Sequence, residues 1–302
     1  MTLELTPADP GPATAAAATG VSRRPVLRAL LRDRRAVFSM LVLAAVIVVA
    51  AISPFVRTAA TAVDPDGRLR GPGAGHLLGT DELGRDVLAR MVQGAWVTVQ
   101  TATVAVGIAL VLGTVIGLLA GYAGGWVDSV LMRVIDGLLA FPLLVLALAV
   151  VAALGPGLRN ALIAIAVIVT PRISRVVRGE VLSLRTREWV SAARIVGVPR
   201  CIILVRHLLP HLAGSLLVFT ALQASTAIMA EAALSFLGLG VQPPQPSWGG
   251  MVASGTEHLD TTWALSVFPG LAILLTVVAF NLLADSLRDA LDAHRPQLRA
   301  AA

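Results

Sequence analysis

A phosphate-binding loop needs a lysine to reach the β- and γ-phosphates, and this chain has none: all 24 of its basic residues are arginine. The chain therefore does not build the usual ATP site, and ATP-driven work must come from separate chains. Metal chemistry lacks a basis too. His258 and His294 stand isolated, and no His, Cys or carboxylate group has ligand spacing. The single cysteine, Cys201, permits no internal disulfide, and its arginine-rich setting predicts a reduced, small packing residue. No nucleophile elbow or zinc-protease motif occurs. What remains is charge and hydrogen bonding inside an apolar chain, carried by four groups of residues.

The first group is 188–211, EWVSAARIVGVPRCIILVRHLLPH. Arg194, Arg200, Arg206 and two histidines, with Arg187 just ahead, make it too polar for lipid. Apolar residues nevertheless recur at helical spacing: Trp189, Ala192, Ala193 and Val196 before Gly197, then Ile202, Ile203, Leu208 and Leu209. Two short amphipathic helices joined by a turn at Gly197-Val198-Pro199 are predicted, since glycine permits angles other residues avoid and proline pre-sets its own. The second group, HLLGTDELGRDVLAR from His76 to Arg90, offers Thr80 or Asp81 as a helix cap. Asp81 with Arg85, and Asp86 with Arg90, have the spacing of i,i+4 ion pairs. Leu83, Val87, Leu88, Met91 and Val92 make an apolar face, which predicts a helix on the external surface. That helix either braces the spans or meets a delivered substrate or binding protein.

Glu231, which opens the stretch EAALSFLGLGVQPPQPSW, is the third. An intramembrane carboxylate is costly without a role. It either contacts substrate or a partner span, or reaches the outer interface and is hydrated. Gln242, Ser247 and Trp248 are read as an external lid, with Trp248 as an interfacial anchor. The fourth group is Asp128, Arg133 and Asp136. Arg133 and Asp136 stand at i,i+3 and are expected to pair, with a place in a translocation path as the alternative.

Hydropathy sets the elements that must position these groups. The chain is 56% hydrophobic and 14% charged, with mean hydropathy +0.81, which places it among all-α polytopic membrane proteins. Its net charge is +6, but the arginine clusters flank apolar spans and are read as topology-setting charge, not nucleic-acid contacts. Residues 1–35 are a Pro-, Ala- and Thr-rich disordered tail ending in a basic flank. Residues 36–56 make the first span. The long tail and the lack of a small-residue cleavage site set aside a secretory signal peptide. An external loop at 57–96 holds the surface helix. A five-helix core at 97–290 follows, with a cytoplasmic loop at 179–211.

Within that core the second span covers 97–120 and the third 126–153, kinked at Pro142. The fourth, Asn160 to Pro171, is shorter than the ~20 residues a crossing needs. Arg172, Arg175 and Arg178 extend it by snorkelling. Without it, the eight arginines from Arg172 to Arg206 would lie outside the cell. The fifth span is 212–239 and the uncharged sixth 261–284, followed by a cytoplasmic tail at 291–302. On this topology both termini are cytoplasmic, and 18 of the 24 arginines face inward.

The spacing in 188–211 resembles the EAA loop of ABC importer permeases: Ala192-Ala193, then Gly197, then Leu209-Pro210 at the register that family shows. Ser191 stands where the family has glutamate, and His207 where it has isoleucine. GTDELGRD and the stretch from Glu231 to Trp248 are similar to C-type subunits of dipeptide, oligopeptide and nickel permeases. The likeness covers roughly residues 21–296. It implies a type I ABC importer permease fold with six transmembrane helices, in the bacterial inner (plasma) membrane.

The resemblance also implies an ATPase-coupling surface of Glu188, Ser191, Ala192, Ala193, Arg194, Gly197, His207, Leu209 and Pro210. It implies an external partner surface at Thr80, Asp81, Gly84, Arg85, Asp86 and Trp248, and pathway candidates in Glu231, Asp136 and Arg133. A B-type permease subunit, two ABC ATPase subunits holding ATP and magnesium, and an external substrate-binding protein are the implied partners; the chain itself binds no cofactor and no nucleic acid. Peptide import is the expected activity, with nickel-chelate or haem import as the alternative. A self-contained secondary transporter would show inverted repeats with broken helices in both halves, and none is visible. An intramembrane enzyme is remote, because nothing pairs a nucleophile with a base on adjacent spans.

Overall fold

The computed structural model describes residues 29–73 and 75–292. Of the tails expected at 1–35 and 291–302, residues 1–28 and 293–302 lie outside them, whereas residues 29–32, 34–35 and 291–292 are helical, so the N-terminal tail is ordered before residue 36. Among the described residues there is no strand, only isolated bridges between Gly73 and His76 and between Thr80 and Asp86. Apolar runs in lipid must satisfy every N–H and C=O internally, which makes them helical.

Asp33 starts α1 (Arg34–Ile52), its carboxylate accepting from the Arg35 N–H at 2.9 Å. Helical turns continue to Thr61, so the first span covers 28 residues and exceeds the expected 36–56. α2 (Val87–Gln100), a π-turn at Thr101–Ala105 and α3 (Val106–Ala123) form one helix of 37 residues. The expected surface helix is thereby corrected: residues 87–96 are the first turns of the second span. Their apolar face, with Val87 and Ala95 fully buried, packs on neighbouring helices instead of lying on the membrane.

Gly124, at φ +66, turns the chain into α4 (Gly125–Leu139), and α5 (Leu143–Leu154) follows after a 95° bend. The kink expected at Pro142 is thus a full corner, with Pro142 extended at ψ 135. α6 (Leu158–Leu184) runs unbroken through Pro171 for 27 residues, long enough to cross. The short α7 (Glu188–Ile195) precedes a 37-residue helix from Arg200 to Phe236, whose main body is α8 (Leu209–Phe236). α9 (Trp248–Thr256) forms inside the segment expected to be loop, and α10 (Ala264–Asp292) is last. Among the described residues, five helical runs are long and apolar enough to cross a membrane, six with the bent pair taken as one span.

Side-chain bonds sort the helix ends into two sets. Arg185 Nη1 donates to the Gly121 carbonyl at 3.0 Å, and the Ser286 hydroxyl to Asp33 at 2.6 Å. These gather the start of α1 and the ends of α3, α6 and α10 at an arginine-rich end. At the opposite end, Trp248 Nε1 donates to the Met91 carbonyl at 2.9 Å and the Thr262 hydroxyl to the Leu69 carbonyl at 3.3 Å.

α3 and α6 make the closest helix pair. Gly113, Gly117 and Gly121 recur every four residues and lie against Ile173, Ser174, Val177 and Val181. With no side chains on this stripe the two backbones approach directly, the usual device for packing helices in lipid. Ile165, Val169 and Ile173 of α6 then meet Ala224, Ala227 and Leu234 of α8 in the main core. Leu41, Val48, Val111, Leu112, Leu271 and Leu274 are exposed around the outside, as lipid-facing residues should be.

The Asp33–Ser286 bond ties α1 to α10. The Ser286 hydroxyl first, and the Arg35 N–H second, hold the Asp33 carboxyl below the usual carboxylate range. A depressed folded-state value gives stability that is present above the unfolded value and lost as pH falls through the folded one. Thermal unfolding in detergent should therefore show a small acid-limb loss, small because this carboxylate is largely solvated. Asp33→Asn should lack it; identical acid limbs would remove the proposed tie.

Candidate functional site

α7 carries Glu188 in its first turn and Arg194 in its last, each the sign the helix dipole favours there. It closes in a Schellman arrangement. The Gly197 N–H donates to the Arg194 carbonyl and the Val198 N–H to the Ala193 carbonyl, both at 3.0 Å, with Gly197 at φ +83. The predicted turn at Gly197-Val198-Pro199 is therefore present. The second predicted helix is not separate. Arg200–Ile202, a π-turn at Ile203–Leu208 and α8 form one continuous run. Pro210 has no N–H to offer the Arg206 carbonyl, and the wide turn lies directly before that defect.

Two ring contacts seat α7. Trp189 stacks on His211 with centroids 4.9 Å apart and planes at 18°, and more loosely on His207 at 6.4 Å. His211 is fixed in turn, its Nδ1 lying 2.6 Å from the His207 carbonyl oxygen. On the other side the Arg194 guanidinium sits 4.8 Å from the centre of the Tyr122 ring on α3. Val190 is fully buried and Ala193 packs against the core. The free face is different: Glu188, Ser191 and Ala192 are exposed, and Ile195 and Val196 are 86% and 81% exposed. Leu209 and His207 are half-buried and Pro210 is exposed. Cys201 is exposed, not a packing residue as expected, because Ile203 takes the inward position. A helix pinned on one face, with Ile195 and Val196 bare at its free end, can receive a push and pass it on.

Behind α7 the charges pair between helices. Asp128 accepts two bonds from Arg178, at 2.5 and 2.6 Å, and Asp136 accepts one from Arg175 at 2.6 Å. The expected Arg133–Asp136 pair does not form. Arg133 is exposed and makes no ion pair among the described residues, since α6 runs beside α4 and offers Asp136 a partner 39 residues away. Arg175 and Arg178 are thus neutralised by carboxylates of α4. The Ser215 hydroxyl donates to Glu180 at 2.6 Å and joins α8 to α6.

At the opposite end, the residues expected to face a partner are turned inward. Asp81, 4% exposed, accepts from the N–H groups of Leu83 and Arg85 at 2.9 Å, from Arg85 Nε at 2.7 Å and from Arg90 Nε at 3.1 Å. The expected Asp81–Arg85 pair forms. The Asp86–Arg90 pair does not, because Arg90 turns to Asp81. Asp86 instead caps α2 through the Ala89 N–H at 2.7 Å and pairs with His76 Nδ1 at 2.8 Å, so neither Thr80 nor Asp81 is the cap. Thr80, fully buried, donates to the Gly67 carbonyl and accepts the Arg70 N–H. Gly84, at φ +75, lies so close to Asp64 that a Cβ would overlap its carbonyl oxygen. Trp248 is buried over Gly94 and is no interfacial anchor. Within the chain, these side chains brace the segment that leads into α2.

A family model described as "Binding-protein-dependent transport system inner membrane component" matches residues 113–295, from the glycine stripe to beyond α10. The chain belongs to this family of transport permeases. The permease is similar to the dipeptide transport system permease protein DppC of Alkalihalophilus pseudofirmus, 41% identical over 270 residues that cover 89% of each chain. It is similar to the glutathione transport system permease protein GsiD of Pectobacterium atrosepticum, 43% identical over 237 residues, 78% of each chain. Its likeness to GsiD of Escherichia coli is 44% over 257 residues, 85% of this chain and 84% of that one.

In the permease, Glu231 is 2% exposed, so the hydrated reading fails. It accepts the Ser235 hydroxyl at 2.7 Å, and Ser235 Oγ accepts the Val241 N–H at 3.2 Å. The carboxyl thereby ties the end of α8 to the turn that leads to α9. Ser247 caps α9 through the Gly250 N–H at 3.2 Å, and the Gln242 amide donates to the Gly238 and Gly240 carbonyls. The sequence reading missed Tyr122, the Trp189–His211 stack and the Glu180–Ser215 link. The i,i+4 spacing of His207 and His211 was visible, but their common partner lies across a turn.

Proposed function

We propose that the permease forms one half of the pathway of an ATP-driven importer of di- or oligopeptides and takes up the motion of ATPase subunits through α7. One observation carries this. Ile195 and Val196 are almost fully exposed on a helix whose other side is pinned to α8 by Trp189 and to α3 by Arg194. Exposed apolar side chains on a rigid support mark a protein contact. One of two ABC ATPase subunits, which bind ATP and magnesium, docks here, since the chain has no lysine for a phosphate loop of its own. The arginine-rich end is then cytoplasmic, as are both termini. A B-type permease completes the pathway, and an external binding protein delivers cargo at the opposite end. A peptide cargo is supported by the names of the dipeptide and glutathione permeases it resembles. ATP shifts the pathway only if one conformation makes the better contact at α7. The stack on His211 and the continuous helix beyond it pass that shift to α8.

Gly197→Val tests the reading. No atom would meet the new Cβ within 4 Å, but a β-branched residue at φ +83 costs ~1–2 kcal/mol and opens the α7 closure. Labelled dipeptide uptake by the assembled complex should fall about tenfold or more, the equivalent of ~1.4 kcal/mol of lost coupling, while ATP hydrolysis continues. Ile195→Asp, on the free face, should reduce co-purification of the ATPases. Normal uptake and normal co-purification in both variants would sink the proposal.

A further inference from the structure

We infer that the permease holds an anionic phospholipid at the start of α1. Residues 29–32 make one helical turn that breaks at Asp33, and beside the break runs a shallow groove lined by Leu31, Arg32, Arg34, Val37, Phe38 and Leu41. Its chemistry is divided. Arg32 and Arg34 are exposed and make no ion pair among the described residues. The carboxylate between them is turned away, held by the Ser286 hydroxyl and the Arg35 N–H. Beside them Leu31 is 58% exposed, and below them Phe38 and Leu41 are 46% and 66% exposed.

Arg34, Phe38 and Leu41 share one face of α1, and side chains on a helix tilt toward its N-terminus. The uncharged run of α1 begins at Ala36, so the two guanidinia stand at the polar boundary of the bilayer. Phe38 and Leu41 then lie roughly 6 to 10 Å deeper, at 1.5 Å per residue. A phosphodiester with acyl chains fits this profile. Guanidinium N–H groups pair with phosphate oxygens, and a chain can follow the apolar strip. A headgroup carrying its own ammonium would bring a cation against the two arginines, which favours a net-anionic lipid such as phosphatidylglycerol.

The test uses the full chain, purified in detergent, with phosphatidylglycerol or phosphatidylcholine added and bound lipid counted by native mass spectrometry. Phosphatidylglycerol should be retained in preference. Arg32→Gln with Arg34→Gln should lower its retention on the order of tenfold, since basic residues near a membrane surface attract anionic headgroups. Arg68→Gln, at an exposed arginine of the opposite end, should leave it unchanged, and the double lysine variant should keep most of it. Equal retention of both lipids would overturn the inference, as would loss in all variants alike. So would binding that appears only after removal of residues 1–28, because the groove would then belong to the chain's own N-terminal segment.

Discussion

Replacing Gly117 with leucine should abolish the folded permease. A Cβ at this position would lie 2.6 Å from the Ser174 carbonyl oxygen and 2.6 Å from Val177 Cβ. Neither atom is the end of a flexible side chain, so neither can swing aside. Overpacking a core ordinarily costs ~1–3 kcal/mol, and here the whole α3–α6 seam would have to part, which places the cost at or above the top of that range. The damage would spread, since α6 also holds α8 through the core and through Glu180. Size-exclusion profiles and thermal midpoints of detergent-purified protein are the readout. Gly137→Leu is the comparison, because a Cβ at Gly137 on α4 would meet nothing within 4 Å. A Gly117→Leu protein that elutes and melts like Gly137→Leu would show that the seam is not the structural axis.

Asp81→Ala should be the next most damaging change. The substitution leaves the Arg85 and Arg90 side chains, 6% and 8% exposed, without their shared carboxylate, together with two backbone N–H groups. Removing one partner of a buried ion pair costs ~3–5 kcal/mol. Part of the positive charge keeps a partner, as Glu82 accepts Arg85 Nη2 at 2.9 Å, which argues for the lower half of that range. Asp136→Ala breaks a pair whose side chains are both more than half exposed and should cost under ~1 kcal/mol. Thermal midpoints and protease sensitivity between residues 64 and 86 should separate the two variants. Equal shifts would mean that Asp81 is not the hub of the opposite end. Transport should fall with stability in Asp81→Ala, in contrast to Gly197→Val, where coupling fails on a folded chain.

Much of the architecture was readable because lipid imposes a simple rule. A run of apolar residues near 20 long becomes a helix, and arginines mark which ends lie together. That sufficed for the six-span class and for α6, where arginines had to be accepted at the end of a short apolar run. The Gly197 turn was readable for a local reason: a Schellman closure needs one residue at positive φ, followed here by a proline. Boundaries were less readable. Residues 87–96 looked like a surface helix because amphipathicity does not say whether the apolar face meets lipid or protein. In the folded chain it meets α1, Trp248 and Leu265.

Pairing of charges was the least readable feature. Asp86 and Arg90, like Arg133 and Asp136, stood at spacings that favour local pairs worth a few tenths of a kcal/mol. Each was displaced by a contact that only the fold creates: Arg90 turns to the buried Asp81, and Asp136 to Arg175 across from α4. The glycines at 113, 117 and 121 were in plain view, but nothing in their spacing names the helix they receive. Sequence by itself determined the class of the chain: hydropathy required a membrane bundle, the missing lysine left no phosphate loop of its own, and the loop register matched the one that its permease relatives were expected to share. Tertiary structure alone decided which residues brace and which remain free, because burial and long-range partners depend on which helices meet. It turned Asp81 and Trp248 inward, and it left Ile195 and Val196 exposed on a helix fixed at Trp189 and Arg194.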